Sequence, residues 1–381
     1  MVDNSACNPE LVLAHKFSEV SHLLQWHSKD VAIYALGVGA CGRDGVDTDE
    51  LKYVYHENGQ QFIKVLPTFS TLFSLEVMSE LSVVRSLRFD ARLMLHGQQY
   101  IEIYKPLPVN ASIHNKVTLA GLHDKGKASV LELETRSYAK ESGELLSMNR
   151  TSVFLRGAGG FSDPSKPFTY SNYPVNQTSM KIPKIRPFAG LYREMNFYDA
   201  SFSASFELLF CFWQALLYRL SGDYNPLHSD PMIGKAAGLA RCLTTMLLQR
   251  LIMIILILRL WLHLMQNFGL PLLVSSSFAS QTSMSIYALL SHVHRFSRPI
   301  LHGLCTLGFA ARAIIRCICK GDPDMIKSIF ARFLLHVYPG EALITEMWIE
   351  DLKVIYQVKV KERNREVLAG YVQLHQLAAP L

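Results

Sequence analysis

Asp223 and His228 stand five residues apart in the run Tyr218-Arg219-Leu220-Ser221-Gly222-Asp223-Tyr224-Asn225-Pro226-Leu227-His228. A carboxylate and an imidazole at that separation can together activate one water molecule. Gly222, Asn225 and Pro226 break regular helices and strands, so the segment is predicted to be a tight loop that aims polar side chains from a rigid scaffold. The same letters suit an Asx-type turn with a helix cap, and an isolated string of this kind is compatible with either reading.

Composition bounds what that loop belongs to. With 381 residues, 49% hydrophobic and 18% charged, the chain can form two or three domains with sizeable cores and is not of the disordered class. A net charge of +6 favours an anionic ligand mildly, and the lack of a dense Lys/Arg block argues against nucleic acid. Seven cysteines without framework spacing point to a reducing compartment. The close pair Cys317-x-Cys319 would need two more soft ligands to hold a metal and lies in an apolar run that reads as helix, so no metal site is expected there. Residues 1–26 lack the basic region and apolar run of a secretory signal.

An ordered internal repeat organises the rest. Ile33-Tyr34-Ala35-Leu36-Gly37 parallels Leu217-Tyr218-Arg219-Leu220-Ser221, and Leu95-His96-Gly97 parallels Leu301-His302-Gly303. Tyr104-Lys105-Pro106 then parallels Tyr338-Pro339, and Lys140-Glu141 parallels Lys361-Glu362, an order that suggests duplication. Val130–Tyr138 and Leu146–Leu155 alternate around Glu141-Ser142-Gly143 as a hairpin, repeated by Leu352–Lys361 and Glu366–Leu374. Before each hairpin lies an apolar segment able to form one helix, most plainly Leu301–Cys317, which predicts an α+β fold with a long helix wrapped by an antiparallel sheet, twice over. Gly157–Pro187, rich in Pro, Ser, Asn and Lys, reads as a linker.

The catalytic-looking loop, together with Leu95-His96-Gly97-Gln98-Gln99-Tyr100, Arg298-Pro299-Ile300-Leu301-His302-Gly303-Leu304-Cys305-Thr306, Arg332-Phe333 and Val337-Tyr338-Pro339-Gly340, resembles the signature of the type 2 enoyl-coenzyme A hydratases. The resemblance covers roughly residues 28–188, 214–238 and 297–375, and extends to the hydratase part of the multifunctional beta-oxidation enzyme. It implies a double hot-dog fold, with residues 1–160 as a substrate-binding half, 161–188 as a linker and 189–381 as a catalytic half. It also implies reversible hydration of trans-2-enoyl-CoA to (3R)-3-hydroxyacyl-CoA in beta-oxidation, a peroxisomal setting, a homodimer, and no cofactor beyond the coenzyme A of the substrate.

Hydration of an enoyl thioester needs water at the beta carbon, a proton at the alpha carbon and stabilisation of negative charge on the thioester oxygen. One water held by two groups can supply the first two. Asp223 and His228 are the candidate acid/base pair, with Asn225 orienting the water or a partner. Gly303, just before the apolar helix, is the candidate for the third task, because a backbone N–H at a helix N-terminus favours a developing enolate oxygen. The resemblance further implies substrate contacts at His96, Gly97, Lys125, Tyr224, Pro226, Leu227, His302, Gly303 and Phe333. Taken alone, Lys125 reads as a solvated turn lysine and His96 as a buried structural histidine.

Two stretches depart from the family pattern. Residues 239–296 lie where the family has a residue or two, and 191–213 replace a short polar approach to the loop with an apolar run. Both look either like misassigned coding sequence or like functional insertions. Within the first, 247–262 is strongly apolar, yet the uncharged run between Arg250 and Arg259 is eight residues, far short of the roughly 20 that span a bilayer. The C-terminal Ala379-Pro380-Leu381 has the small first residue and final Leu of a peroxisomal tail signal, with Pro where a basic residue is usual. Two rival readings stay open: a hot-dog acyl-CoA thioesterase, which attacks the thioester carbon instead, and a non-catalytic isoform whose apolar insertion binds a partner or membrane.

Overall fold

The computed structural model describes residues 7–17, 22–42, 45–84, 86–173, 182–183, 189–194, 214–230, 233 and 299–376. The stretch 239–296, all of 191–213 beyond residue 194, and the C-terminal tripeptide lie outside the described residues. Contacts divide the chain into two compact units, Met1–Asn225 with Leu301–Leu381, and Pro226–Ile300.

The first unit is built on one antiparallel sheet. Its strands are β1 (His22–Trp26), β2 (Met94–Ile103), β3 (Ala111–Asp124), β4 (Ala128–Ala139), β5 (Leu145–Arg156), β6 (Thr169–Ser171), β7 (Ala189–Glu194), β8 (Ile326–Phe333), β9 (Leu343–Glu350), β10 (Lys353–Val360) and β11 (Arg365–Leu374). They run in the order β1-β3-β4-β5-β2-β8-β11-β10-β9-β7, with β6 on β3. The first five and, reversed, the last five follow the same scheme, so the two halves of the sheet repeat one topology. The expected hairpins are β4–β5 and β10–β11, and Gly143 at φ +71 supplies the left-handed turn residue of the first.

Three expectations need correction. The halves do not carry separate sheets: β2 and β8 pair along Gln98↔Arg332 to Glu102↔Ser328, which makes the sheet continuous. A long helix occurs in the second half, Gly303–Cys317, whereas the first half has a 3-10 segment, Pro67–Ser74, followed by a short helix, Leu75–Glu80. The physical reason lies in the letters Pro-Thr-Phe-Ser-Thr-Leu-Phe-Ser. Ser70, Thr71 and Ser74 donate their hydroxyls to the carbonyls of Pro67, Thr68 and Thr71 at 2.8, 2.8 and 3.1 Å, and bonds three residues back favour the tighter winding. Finally, Leu95-His96-Gly97 lies inside β2 and Leu301-His302-Gly303 at a helix start, so these two triplets are not equivalent positions of the repeat.

The larger core packs around the Gly303–Cys317 helix, where Leu304, Leu307, Ala310, Ala311 and Ile314 are buried against the sheet, each large apolar side chain contributing about 1.5–3 kcal/mol. Arg312 enters this core from the helix. Its Nε donates to the Val38 carbonyl at 3.1 Å, and its guanidinium pairs with Glu50, both side chains being almost fully buried. That clamp fastens Val38 and the short helix Thr48–Leu51 of the first half to the helix of the second. The tyrosines matched by the repeat, Tyr34 in the helix Ser28–Gly37 and Tyr218 in the helical turn 214–219, are both buried, with ring centroids 5.9 Å apart.

Candidate active site

The helical turn 214–219 sets the start of the loop. Gln214 donates to the carbonyls of Leu36 and Gly37, anchoring the turn on the Ser28–Gly37 helix, and Gly222 at φ +120 redirects the chain outward. Asp223 then folds as an Asx turn, its Oδ1 accepting the Asn225 N–H at 3.3 Å. Its other carboxylate oxygen lies 3.9 Å from Nε2 of His302, and the same Nε2 stands 3.2 Å from the Asp223 carbonyl oxygen. A carbonyl accepts only, so His302 donates from Nε2 to the backbone of Asp223. The His302 ring is 1% exposed and packs on Tyr218 at 4.8 Å between centroids. Burial in turn raises the Tyr218 phenol well above its ordinary range and keeps it protonated.

His302 is followed directly by Gly303, the first residue of the long helix. The leading N–H groups of a helix have no intrahelical acceptor, so the positive end of a 15-residue helix opens one residue from a side chain facing Asp223. A Cβ on Gly303 would meet the Phe333 ring at 3.1 Å. Phe333, the last residue of β8, makes an edge contact with the His96 ring, centroids 4.8 Å apart. Gly97 beside it is the extra residue of a β2–β5 bulge, where a Cβ would meet the Phe154 ring at 2.9 Å. Burial drives His96 down to about 4, against the raising effect of hydrogen bonds from its Nε2 to Gln98 and Gln99, so the imidazole is neutral at pH 7.

The structure therefore gathers Asp223, His302, Gly303, Phe333, His96 and Gly97 into one contiguous series. Lys125 is not part of it. It is exposed at the β3–β4 turn, at the same end of the sheet as His96 but two inter-strand spacings across, about 10 Å, and about three residues further along the strands. Asp124 beneath it accepts from the N–H groups of Gly126, Gly160 and Ser162 at 2.8–2.9 Å, which fixes that loop. Tyr224 is 56% exposed with the Arg219 guanidinium over its ring, and Asn225 is exposed as well. Pro226, Leu227 and His228 belong to the other unit, where they form a 3-10 turn and His228 Nδ1 meets the Ile300 carbonyl at 2.8 Å. That bond places the proton on Nδ1 and leaves Nε2 unprotonated in the neutral ring.

Tyr218, Gln99 and Asn149 were not singled out by sequence reasoning. Tyr218 carried a signal, because the repeat pairs it with Tyr34. Of the two amides, Gln99 lies inside the Leu95–Tyr100 motif without a role assigned to it there, and Asn149 carried no signal.

Residues 24–157 match the family described as the MFE-2 hydratase 2 N-terminal domain, and 286–370 the MaoC like domain. Over 99% of both chains, the sequence is 51% identical to the peroxisomal enoyl-CoA hydratase 2 of Arabidopsis thaliana. The chain belongs to the enoyl-CoA hydratase 2 family. A probable enoyl-CoA hydratase 2 of Dictyostelium discoideum is 30% identical over 95% of each chain. Among solved structures, a MaoC-like dehydratase from Phytophthora capsici has the same fold at TM-score 0.64 and 24% identity, covering 97% of this chain and 98% of that one. The peroxisomal multifunctional enzyme type 2 of Drosophila melanogaster gives TM-score 0.59 at 25% identity over 93% of this chain, which spans 48% of that enzyme.

As a member of the enoyl-CoA hydratase 2 family the chain is a hydro-lyase with a MaoC-like hot-dog fold, an N-terminal hydratase 2 domain and a C-terminal MaoC domain. Neither matched stretch contains Asp223–His228, and the MaoC match begins at residue 286, inside the segment 239–296 that departs from the hydratase pattern.

Proposed function

We infer that this hydratase adds water reversibly to trans-2-enoyl-CoA, giving (3R)-3-hydroxyacyl-CoA in peroxisomal fatty-acid beta-oxidation. Asp223 and His228 act on a single water: one takes a proton as the oxygen attacks the beta carbon, and the proton reaches the alpha carbon as the enolate collapses. The N-terminus of the helix at Gly303 stabilises the enolate oxygen. The observation that carries the reading is the adjacency of Asp223 and the helix start, since the Asp223 carboxylate lies 3.9 Å from the side chain of the residue preceding Gly303. An acid/base carboxylate beside a fixed positive dipole is what a reaction through an enolate requires, because the group that moves the proton at the alpha carbon and the charge stabiliser must address atoms two bonds apart.

On this reading residues 1–160 bind substrate through His96, Gly97 and Lys125, residues 189–381 carry the chemistry, and 161–188 connect them. Two copies form a homodimer. Loss of the conjugated enoyl absorbance on adding the full chain, with chiral analysis of the alcohol, tests it. The (3R) product with kcat lowered about 10²–10⁴-fold in both Asp223→Asn and His228→Ala supports the pair. Release of free thiol instead of hydration would overturn it in favour of a thioesterase.

A further inference from the structure

A chain of buried amides runs from the 3-10 segment to His96, and its direction is fixed at both ends by backbone carbonyls. Asn149 stands 3.0 Å from the Ser70 carbonyl oxygen, which only accepts, so the amide nitrogen of Asn149 faces it. The carbonyl oxygen of Asn149 must then point the other way, where it receives the Gln99 side-chain N–H at 3.0 Å. Gln99 Oε1 is thereby turned towards the Thr151 hydroxyl at 2.9 Å and towards His96 Nε2 at 3.1 Å. The Gln98 carbonyl oxygen is also 3.1 Å from that nitrogen. Two acceptors on one ring nitrogen demand a proton there. Gln99, Asn149, Thr151 and Ser70 are all buried, so flipping either amide would leave buried acceptors facing one another.

The neutral ring then has an unprotonated Nδ1. Among the described residues this atom has no protein hydrogen bond and is not enclosed, while the ring itself lies against Phe333, which lies against Gly303. A donor N–H at the helix start and an acceptor at His96 Nδ1 thus flank one phenyl ring. A thioester that places its carbonyl oxygen at the first and continues into an amide-bearing arm offers the matching acceptor and donor.

We propose that Gln99 is a positioning residue that, together with the Gln98 carbonyl, holds His96 in the Nε2-protonated tautomer, so that Nδ1 accepts an N–H of the pantetheine arm of the substrate. The ligand part rests on the CoA-thioester reading; the tautomer does not. Nitrogen-15 NMR of the histidine-labelled full chain at pH 7, with His96 assigned by its loss in His96→Phe, reads the proton directly. A protonated Nε2 with bare Nδ1 is expected, and a proton on Nδ1 or one averaged over both nitrogens overturns the proposal.

His96→Phe keeps a ring against Phe333 but removes the Nδ1 acceptor. Calorimetry with butanoyl-CoA, a saturated thioester that cannot be hydrated, should then show about tenfold weaker binding. Unchanged affinity in His96→Phe overturns the pantetheine contact. If that variant does not fold, Gln99→Leu leaves the Gln98 carbonyl as the remaining acceptor on Nε2, so the proton should stay there while the ring loses its second anchor and butanoyl-CoA binding weakens severalfold; unchanged affinity overturns the positioning role. Wild-type protein that fails to bind butanoyl-CoA overturns the CoA reading itself and leaves the tautomer result standing.

Discussion

Replacing Gly303 by Ala separates stability from chemistry. In the folded protein the new methyl meets the Phe333 ring at 3.1 Å, tighter than ordinary contact, and the ring must yield by a few tenths of an ångström. Against that cost, Ala restricts the unfolded chain and suits a helix better than Gly, worth at most about 1 kcal/mol at a first helical position. The two effects oppose each other, so the melting temperature should stay within about 2 °C of wild type. Activity should not be spared. The methyl occupies the space between the helix N-terminus and Phe333 through which a thioester oxygen would approach the backbone. Losing one such donor costs about 10²–10³ in kcat, equivalent to about 2.7–4 kcal/mol of transition-state stabilisation. Enoyl-CoA hydration followed by absorbance, beside thermal unfolding of the same sample, measures both. A stable Gly303→Ala protein with kcat/KM within threefold of wild type would refute the assignment of the charge-stabilising role to this helix start.

His302→Phe keeps a ring against Tyr218 but removes the donor to the Asp223 carbonyl; stability should fall by about 1 kcal/mol in urea unfolding, with a larger proportional loss of kcat as the loop at Asp223 loosens. Arg312→Met leaves the buried Glu50 with Arg316 at 3.4 Å and the Cys41 N–H as partners and should cost up to about 3 kcal/mol, most of which the double variant Arg312→Met/Glu50→Leu recovers. Acid should weaken the fold through Asp124 and Glu132. Burial alone would raise both carboxyls, but hydrogen bonds from Gly160, Ser162 and Gly126 to Asp124, and from His123, Tyr173 and Ser152 to Glu132, outweigh it and hold both below the usual carboxylate range. A lowered folded-state value means the stabilisation is complete above the ordinary carboxylate range and is lost as pH falls through the lowered values. Unfolding midpoints measured downward from pH 6 should therefore fall, and more gently in Asp124→Asn.

The elements legible in the sequence are those whose signals are local. The β4–β5 and β10–β11 hairpins are written in two-residue alternation around short turns, and the Gly303–Cys317 helix in an uninterrupted apolar run. The 3-10 segment was not read, although its Ser and Thr spacing carries the reason for it. The matched triplets at His96 and His302 misled because letter identity does not encode backbone context. Both glycines admit a phenyl ring, Phe154 in one case and Phe333 in the other, but one sits in a bulged strand and one at a helix start. The partnership of His302 with Asp223 spans 79 residues of sequence, and that of Gln99 with Asn149 spans 50. Only the β2–β5 register, with Gln99 opposite Thr151 and Ile101 opposite Asn149, brings the latter within reach.

The seam where β2 meets β8 also constrains how such a polypeptide can be cut or recombined. Separated at this line, each half would present a five-residue ladder of unpaired backbone groups, an open template for the wrong partner. A first half expressed alone should pair with itself through β2, whereas the two halves produced together should find each other and reconstitute the ladder. His96 would arrive on one fragment, Phe333 and Gly303 on the other, so turnover by the mixture would report reassembly of the seam and not survival of either piece.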